Sequence, residues 1–276
     1  MSSRLVRLHL ASVDSTNAYA RAHASTFDAR ALTVITADDQ TAGRGRGGRA
    51  WSSSGADDIK LTFSFEVPAS SRAYLLSPLV AVAAVRALRA RGVAGVGLKW
   101  PNDVVMGGAR KVGGILCEAE GAAGGGLRVA LGIGLNVNSL PETLAVSRTI
   151  WPLTTLRAEA GGASLDVAAL TDALVAEFAN ALDDFSANGW APFSAEFSAA
   201  SVLLGRRVRF SDDAPSADAP AGGGVVEGIV AGFGDDDGSL RLRTDAGVER
   251  NFLAGEVCGL ELADGAVVTR AAPDAA

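Results

Sequence analysis

The sequence changes its character near Leu203, and this change constrains the fold more than any other feature of the chain. Before Leu203, segments with helical periodicity alternate with short strand-like segments that glycine or proline interrupts. After it, only short β-rich pieces remain, separated by glycine and aspartate turns as in a small barrel. We therefore predict an α+β domain over residues 1–202 and a small β-barrel domain over residues 203–276.

Two long helices and seven strands are predicted in the first domain. Leu75–Arg91 ends before Gly92, which suits the left-handed position after a helix, and Leu165–Phe185 repeats leucine and phenylalanine at about 3.6-residue spacing. Ser15 is the predicted cap of a shorter helix that runs to about Ala24. The predicted strands are Arg4–Leu10, Leu32–Ala37, Ile59–Val67, Val96–Trp100, Val104–Met106, Lys111–Glu118 and Leu127–Val137, followed in the second domain by Arg207–Phe210, Val225–Ala231, Leu240–Thr244, Glu249–Phe252 and Val257–Glu261. Between them, residues 38–58 form a long polar loop, and residues 212–224 form a low-complexity loop.

The composition is that of a globular protein, and it argues against several classes. Of the 276 residues, 48% are hydrophobic and 20% are charged, and a net charge of −6 without a long basic run is not typical of a general nucleic-acid binder. The longest apolar stretch, Tyr74–Leu88, contains Pro78 and Arg86, so we do not expect it to span a membrane. Two distant cysteines, Cys117 and Cys258, fit a reducing compartment. We expect a cytoplasmic protein with no membrane contact and no DNA partner.

The segment from Gln40 to Trp51, with the sequence QTAGRGRGGRAW, is the most informative stretch for function. Glycines let backbone N–H groups approach an anion, and Arg44, Arg46 and Arg49 add guanidinium groups that suit phosphate. The alternative is a solvated turn. A dinucleotide-binding motif is rejected because the G-x-G-x-x-G spacing neither follows a strand directly nor opens a helix, and the P-loop and protein-kinase signatures are absent.

Two further clusters place polar groups at strand ends. In KWPNDVVMGGARKVGGILCE, from residue 99 to 118, a proline interrupts the strand, so Asn102 and Asp103 are expected on a turn that faces a ligand. Lys111 follows a glycine hairpin and precedes an apolar strand, where it is either a ligand-facing cation or an ordinary edge-strand lysine. In GIGLNVN, from residue 132 to 138, glycines inside a strand indicate that a ligand or another backbone approaches closely. Asn136 there is a polar contact for a ligand or a former of the turn.

Taken in order, these motifs resemble the catalytic domain of the biotin protein ligases. The resemblance is carried by STN at residues 15–17, Gln40 with GRGRGGRAW, KWPND with the later Lys111 and GGILCE, and GIGLNVN, which together cover about half of the chain. It implies the class II synthetase-like biotin/lipoate ligase fold, with a mixed sheet and helices, followed by a small SH3-like β-barrel. It also implies that biotin is joined to AMP at the expense of ATP, and then transferred from biotinyl-5′-AMP to a lysine of a biotin carboxyl carrier protein.

The resemblance assigns a role to each motif residue. The implied biotin contacts are Ser15, Thr16, Asn17, Gln40, Arg44, Gly45, Arg46 and Lys111. The implied nucleotide contacts are Arg46, Arg49, Trp51, Asn102, Asp103 and Asn136. Asp103 is also the candidate ligand of Mg²⁺, because that ion prefers carboxylate oxygen. Lys111 and Arg46 would be the catalytic cations, since both steps develop negative charge on oxygen.

The chain departs from the family pattern at two places. Lys60 is unusual at its position in the strand that follows the Gly/Arg segment, which leaves the local register open. A Gly-Gly-Ala insertion between Asp103 and Lys111 indicates a slightly longer hairpin. Some family members carry a DNA-binding domain ahead of the first motif. Here Ser15 follows the first predicted strand almost at once, so regulation through DNA binding is not expected.

Two other functions remain as alternatives. A lipoate protein ligase shares the fold and the adenylate chemistry, and a non-catalytic phosphate-binding module could use the same Gly/Arg segment. ATP–pyrophosphate exchange that requires biotin would distinguish all three. An exposed sheet edge would suit docking of the acceptor protein as well as a homodimer, and the sequence does not choose between them.

Overall fold

The computed structural model describes residues 4–53, 55–108, 110–140, 151–212 and 224–261, together with the backbone of residues 267–269. The helices are α1 (Thr16–Ala22), α2 (Leu76–Ala90), α3 (Leu156–Glu159), α4 (Val167–Asn188) and α5 (Ala191–Ala200). The strands are β1 (Arg4–Val13), β2 (Ala31–Gln40), β3 (Ile59–Val67), β4 (Val96–Lys99), β5 (Asp103–Met106), β6 (Arg110–Gly121), β7 (Leu127–Leu135), β8 (Arg207–Ser211), β9 (Val225–Phe233), β10 (Leu240–Thr244), β11 (Glu249–Phe252), β12 (Glu256–Glu261) and β13 (Val267–Thr269).

These strands form two sheets. The first is seven-stranded, in the order β1-β2-β3-β7-β6-β5-β4, and the second is six-stranded, in the order β11-β10-β9-β8-β12-β13. In the first sheet, β1 runs parallel to β2 and the other neighbours are antiparallel. The second sheet is antiparallel throughout. The predicted α+β fold with a mixed sheet and a later all-β unit is confirmed.

Period-two alternation on β3 sets the two faces of the large sheet. Leu61 and Phe63 are buried on the face covered by α4, where the ring of Phe63 lies 4.2 Å from that of Phe178. Lys60 and Thr62 point to the opposite face, because successive strand residues alternate. One face of the sheet therefore belongs to the hydrophobic core, and the other carries polar side chains.

The predicted helix after residue 75 is the central core helix. Gly92 follows its end with φ +81°, as expected for the left-handed position that glycine adopts most easily. Residues Ala73–Ala90 form the one helix of the described residues that is long and apolar enough to cross a membrane, with a mean hydropathy of 1.4. Because 67% of this segment is buried inside the fold, it fits a core helix better than a membrane span.

Three elements were not predicted: α3, α5 and β13. Helix α5 begins at Ala191, behind Trp190, which gives no side-chain cap, so Pro192 in its first turn is its main start signal. The polar loop predicted from residue 38 starts later, because β1 holds β2 in register as far as the pair Val13 and Gln40. The low-complexity loop predicted for residues 212–224 lies almost entirely outside the described residues.

The two sheets share one hydrophobic core. Trp100, at the end of β4, donates its indole N–H to the carbonyl of Gly238 at 3.1 Å, and its ring lies 6.0 Å from Phe210 of β8. Phe197 of α5 meets Phe233 of β9 edge to face at 5.0 Å. Since these aromatic contacts are buried, the second sheet has a fixed place beside the first.

Candidate active site

A cleft lies on the polar face of the large sheet. Its floor is formed by β3, β7 and β6, one end by the start of α1, and its roof by residues 44–52. It holds about 900 Å³ of space when its open mouth is included. Twelve of the thirteen residues predicted for the site line it, and Asp103 is the exception.

Glycines make the floor of this cleft. A Cβ atom on Gly132 would lie 2.3 Å from the side-chain oxygen of Asn17, and one on Gly134 would lie 2.6 Å from the ring of Trp51. Gly114 is paired with Gly134 across the sheet, and a Cβ there would also meet Trp51, at 3.2 Å. The glycines of GIGLNVN and GGILCE therefore give Asn17 and Trp51 room to lie flat against the sheet.

A hydrogen-bonding network of neutral side chains, backed by the carboxylate of Glu118 at 3.0 Å from the Asn17 amide nitrogen, closes one end of the cleft. Ser15 caps α1, and the side-chain oxygen of Gln40 accepts from the backbone N–H of Thr16 at 2.8 Å and from its hydroxyl at 3.0 Å. The Thr62 hydroxyl lies 2.8 Å from the Thr16 hydroxyl and 2.7 Å from Asn17 Oδ1. The amide nitrogen of Asn17 donates to the carbonyl of Leu116 at 3.2 Å.

Thr62 is the functional residue that the sequence reasoning missed. It is fully buried and joins Thr16 to Asn17 behind the cleft. Its signal is present in the sequence, because Lys60, Thr62 and Ser64 alternate with apolar residues along β3. Three polar residues on one face of an otherwise apolar strand indicate a polar cleft on that face.

The Gly/Arg segment folds as a short hairpin over the cleft, which we call the Gly/Arg hairpin (residues 43–51). The Trp51 N–H donates to the carbonyl of Gly43 at 2.8 Å, and Arg44 forms an antiparallel bridge with Ala50. Gly47 and Gly48 take φ values of +65° and +72°, which glycine adopts at little cost. Gly45 lines the cleft within this hairpin, as does Arg44.

Two arginines fasten this hairpin to the rest of the protein. Arg46 donates to Asn102 Oδ1 at 3.1 Å and to the carbonyl of Gly255 at 3.3 Å. Arg49 donates to the carboxylate of Glu256 at 2.8 Å. Burial is the largest effect on the pKa of Arg46 and lowers it, as does the positive charge of Arg49. The negative charges of Glu256 and Asp103 raise the pKa, but not enough to offset burial. The hairpin is therefore held by the second sheet as well as by the first.

Lys111 provides the cation at the centre of the cleft. Its backbone pairs with residues 152–154, and its ammonium lies 5.8 Å from the centre of the Trp51 ring. The ammonium donates to one carboxylate oxygen of Asp103 at 2.6 Å, and Lys99 donates to the other oxygen at 2.8 Å. Burial raises the pKa of Asp103, but the two lysines outweigh it and hold the pKa well below the ordinary value.

Two asparagines line the far end of the cleft. Asn102 donates to the carbonyl of Ile115 at 2.8 Å and accepts from Arg46. Asn136 donates to the carbonyl of Thr154 at 3.3 Å, which leaves its Oδ1 buried without a hydrogen-bond partner among the described residues. Leaving a buried acceptor without a donor costs free energy, so a ligand N–H that binds there would recover that cost.

The structure explains the unusual lysine in β3. Strand β3 pairs with β7 without a register shift, so Lys60 lies opposite Gly134 and lines the cleft. Its ammonium donates to the backbone carbonyls of Gly55 and Asp58, the latter at 3.2 Å. Burial lowers the pKa of Lys60, while Asp58 and neighbouring aspartates raise it. Lys60 therefore fixes the turn that follows the Gly/Arg hairpin.

The predicted metal role of Asp103 is not favoured by this geometry. Both of its oxygens already accept a hydrogen bond from a lysine, and the residue lies behind Lys111 rather than in the cleft. Among the described residues there is no group of three His, Cys, Asp or Glu side chains that could hold a metal ion. Both oxygens of Asp103 are thus engaged by the two lysines, whereas a magnesium ion that keeps several waters needs few protein ligands.

Comparison with known proteins identifies the families that the chain matches. Residues 10–138 match the Biotin/lipoate A/B protein ligase family, and residues 219–258 match the Biotin protein ligase C terminal domain. A biotin–[acetyl-CoA-carboxylase] ligase of Paracoccus denitrificans is 33% identical over 86% of this chain and 94% of its own length. One of Mycobacterium tuberculosis is 33% identical over 84% of this chain and 81% of its own.

Longer relatives and solved structures give the same result. A bifunctional ligase/repressor of Bacillus subtilis is 28% identical over 80% of this chain, and the chain spans 65% of that protein's length. A biotin protein ligase from Aquifex aeolicus, solved in complex with biotin and ATP, superposes with a TM-score of 0.71 at 27% identity. That superposition covers 91% of this chain and 97% of the other.

Proposed function

The chain belongs to the biotin protein ligase family, and from this premise we propose that it activates biotin with ATP and transfers it to a lysine of a carrier protein. One observation carries the proposal: a single cleft joins a neutral hydrogen-bonding end to a cationic centre and an amide-lined end. These three parts match a ureido ring, a carboxylate that meets a phosphate, and a nucleoside.

The neutral end suits the ureido ring of biotin. That ring presents one carbonyl oxygen and two N–H groups, so it needs both donors and acceptors and no charge. Ser15, Thr16, Asn17 and Gln40 offer hydroxyl and amide groups here, already oriented by Thr62. Beyond them, the ring of Trp51 lies against the glycine floor and would form an apolar wall for the bicyclic ring of biotin.

The cationic centre suits the reacting groups. An oxygen of the biotin carboxylate attacks the α-phosphorus of ATP, pyrophosphate leaves, and a mixed anhydride forms. The acceptor amine then attacks the acyl carbon, and AMP leaves. Both steps increase negative charge on oxygen, and Lys111 and Arg46 lie where the two substrates would meet. Arg44 and Gly45 cover the biotin side of this point, and Arg49 lies at the phosphate side.

The far end suits adenosine. Asn136 Oδ1 is a buried acceptor without a partner among the described residues, and the exocyclic amine of adenine is a donor that would satisfy it. Asn102 and the ring of Trp51 complete the nucleotide contacts. Mg²⁺ would enter bound to the ATP phosphates, since it keeps several waters and needs few protein ligands.

The second sheet has a part in this function. We place the domain boundary between residues 202 and 203, where the last helix gives way to strands. Gly255 and Glu256 of the second sheet hold Arg46 and Arg49, so this domain keeps the Gly/Arg hairpin over the cleft. The hairpin has to close over the adenylate, which shields the anhydride from water.

The partner is a biotin carboxyl carrier protein in the cytoplasm. Strand β1 is the free edge of the large sheet and is largely exposed, so it offers a surface for this acceptor or for a second copy of the chain. A lipoate ligase is not favoured, because the relatives matched over most of their length act on biotin by name.

Biotin-dependent ATP–pyrophosphate exchange tests the proposal. Purified protein with ATP and labelled pyrophosphate should show exchange with biotin, and none with lipoate or without an acid. Mass spectrometry should then detect biotinyl-5′-AMP bound to the protein. Exchange that responds to lipoate alone, or no exchange with either acid, would overturn the assignment.

A further inference from the structure

The three lysines of the chain gather at one place. Lys60, Lys99 and Lys111 are the only lysines among 276 residues, while the other basic residues are arginine. Two of them, Lys99 and Lys111, form ion pairs with the two carboxylate oxygens of Asp103. The side chains of Lys99 and Asp103 are only 3% and 9% exposed, whereas Lys111 reaches the cleft.

A carboxylate beside a catalytic cation has an electrostatic cost. A neutral Asp103–Lys111 pair would attract an anion much less than a free ammonium does, because the two opposite charges largely cancel at a distance. The negative charge of Asp103 acts on Arg46 as well, where it raises the pKa against the effect of burial. Without compensation, the charge of Asp103 would reduce the attraction that Lys111 and Arg46 exert on an anion.

Lys99 supplies this compensation. It donates to the second oxygen of Asp103 at 2.8 Å and lies 5.7 Å from the centre of the Trp151 ring, a contact that also favours a cation. Lys99, Asp103 and Lys111 together carry a net charge of +1, the sum of two ammonium groups and one carboxylate. Asp103 fixes where the Lys111 ammonium lies, and Lys99 restores the charge.

We propose that Lys99 and Asp103 form a positioning unit that holds Lys111 in place and keeps the centre of the cleft positive without touching substrate. This rests on the proposed function, and it replaces the metal role of Asp103 with a charge-balancing role. One consequence distinguishes this arrangement: a substitution that removes Asp103 should restore part of the activity that is lost when Lys99 is removed. Removing Lys99 leaves a net charge of zero, and removing Asp103 as well returns it to +1.

Three variants test this charge arithmetic in the exchange assay. Lys99→Met should lower kcat about tenfold with little change in the KM for biotin, because one buried charge near the reacting phosphate is lost. Lys99→Met/Asp103→Asn should be at least about threefold faster than Lys99→Met alone, because the net charge is restored. Arg128→Met, which breaks a part-buried ion pair with Glu66 away from the cleft, should stay within about twofold of wild type.

Two outcomes would overturn the proposal. One is a double variant no faster than Lys99→Met, and the other is a Lys99→Met variant as fast as wild type. Thermal unfolding checks that each variant is folded.

The Asp103→Asn variant provides a second measurement, the binding of magnesium pyrophosphate, which does not depend on the stability of Lys99→Met. It should bind magnesium pyrophosphate at least as tightly as wild type, with an unchanged Mg²⁺ requirement, since the centre becomes more positive. Weaker binding with a higher Mg²⁺ requirement would show a metal ligand instead. A wild-type protein without biotin-dependent exchange would refute the proposed function, whereas the pyrophosphate comparison would still decide the role of Asp103.

Discussion

Replacement of Lys111 by alanine is the most direct test of the active centre. An ammonium about 3.5 Å from a reacting oxygen contributes about 5 kcal/mol at an effective dielectric constant of about 20. Asp103 lies just behind it, 2.6 Å from the ammonium, and opposes this attraction. Because Asp103 is present in wild type and variant alike, its repulsion cancels from the comparison. The rate reports only the part of the Lys111 attraction that develops between ground state and transition state, and about half of it, about 2.5 kcal/mol, is roughly two orders of magnitude in rate.

The fold should survive this substitution. The backbone of Lys111 keeps its hydrogen bonds to Pro152 and Thr154, and Asp103 keeps Lys99 as its partner, so no buried charge is left alone. We therefore expect Lys111→Ala to unfold within about 5 °C of wild type, as for a loss of about 1 kcal/mol in a chain of this size.

Single-turnover formation of biotinyl-5′-AMP measures the effect on chemistry. Adenylate formation by Lys111→Ala should fall by about a hundredfold, and Lys111→Arg should recover only part of the rate, because a planar guanidinium does not replace a compact ammonium. A Lys111→Ala variant within about threefold of wild type would show that the lysine is an ordinary strand residue and that the site is wrongly assigned.

Three further predictions follow from other contacts of the cleft. Glu256→Gln should break the ion pair with Arg49, raise amide hydrogen exchange across residues 43–49 and lower the rate of adenylation about fivefold. Unchanged exchange would show that the second sheet does not stabilise the hairpin. Gly134→Ala should displace Trp51, because the new Cβ would lie 2.6 Å from its ring, and raise the KM for ATP or biotin by about tenfold; unchanged KM values would contradict this placement. Because Lys60 and Lys99 are buried and Lys111 is paired with Asp103, peptide mapping after incubation with biotin and ATP should find no biotinylated lysine, while Arg91→Lys, at an exposed position, should gain one; biotin on a wild-type lysine would refute this.

The sequence predicts the fold well where the local pattern and the tertiary structure agree. Period-two alternation places β3 correctly at Ile59–Val67, and Gly92 marks the end of α2. It fails at α5, which lacks a cap and is held in place by Phe193 and Phe197 in the shared core. Pro192 in its first turn is a weak start signal, and non-local packing decides the segment.

The residues of the site are predicted from motifs that are each continuous in the sequence. The hydrogen bonds and ion pairs that connect these residues are not predicted. Gln40 and Lys111 fall within conspicuous motifs, so a linear scan finds them. The roles of Asp103 and Glu256 depend on which cations the fold brings beside them, across 8 residues in one case and 207 in the other.

A carboxylate in a motif indicates a metal ligand when its neighbours are unknown. The same carboxylate between two ammonium groups has both oxygens in ion pairs, which suits a role in setting the position and charge of a cation. The identity of a polar residue is therefore local information, whereas its chemical role is fixed by its partners. The suppressor variant at Lys99 and Asp103 measures that partnership directly, because only a shared charge lets the second substitution repair the first.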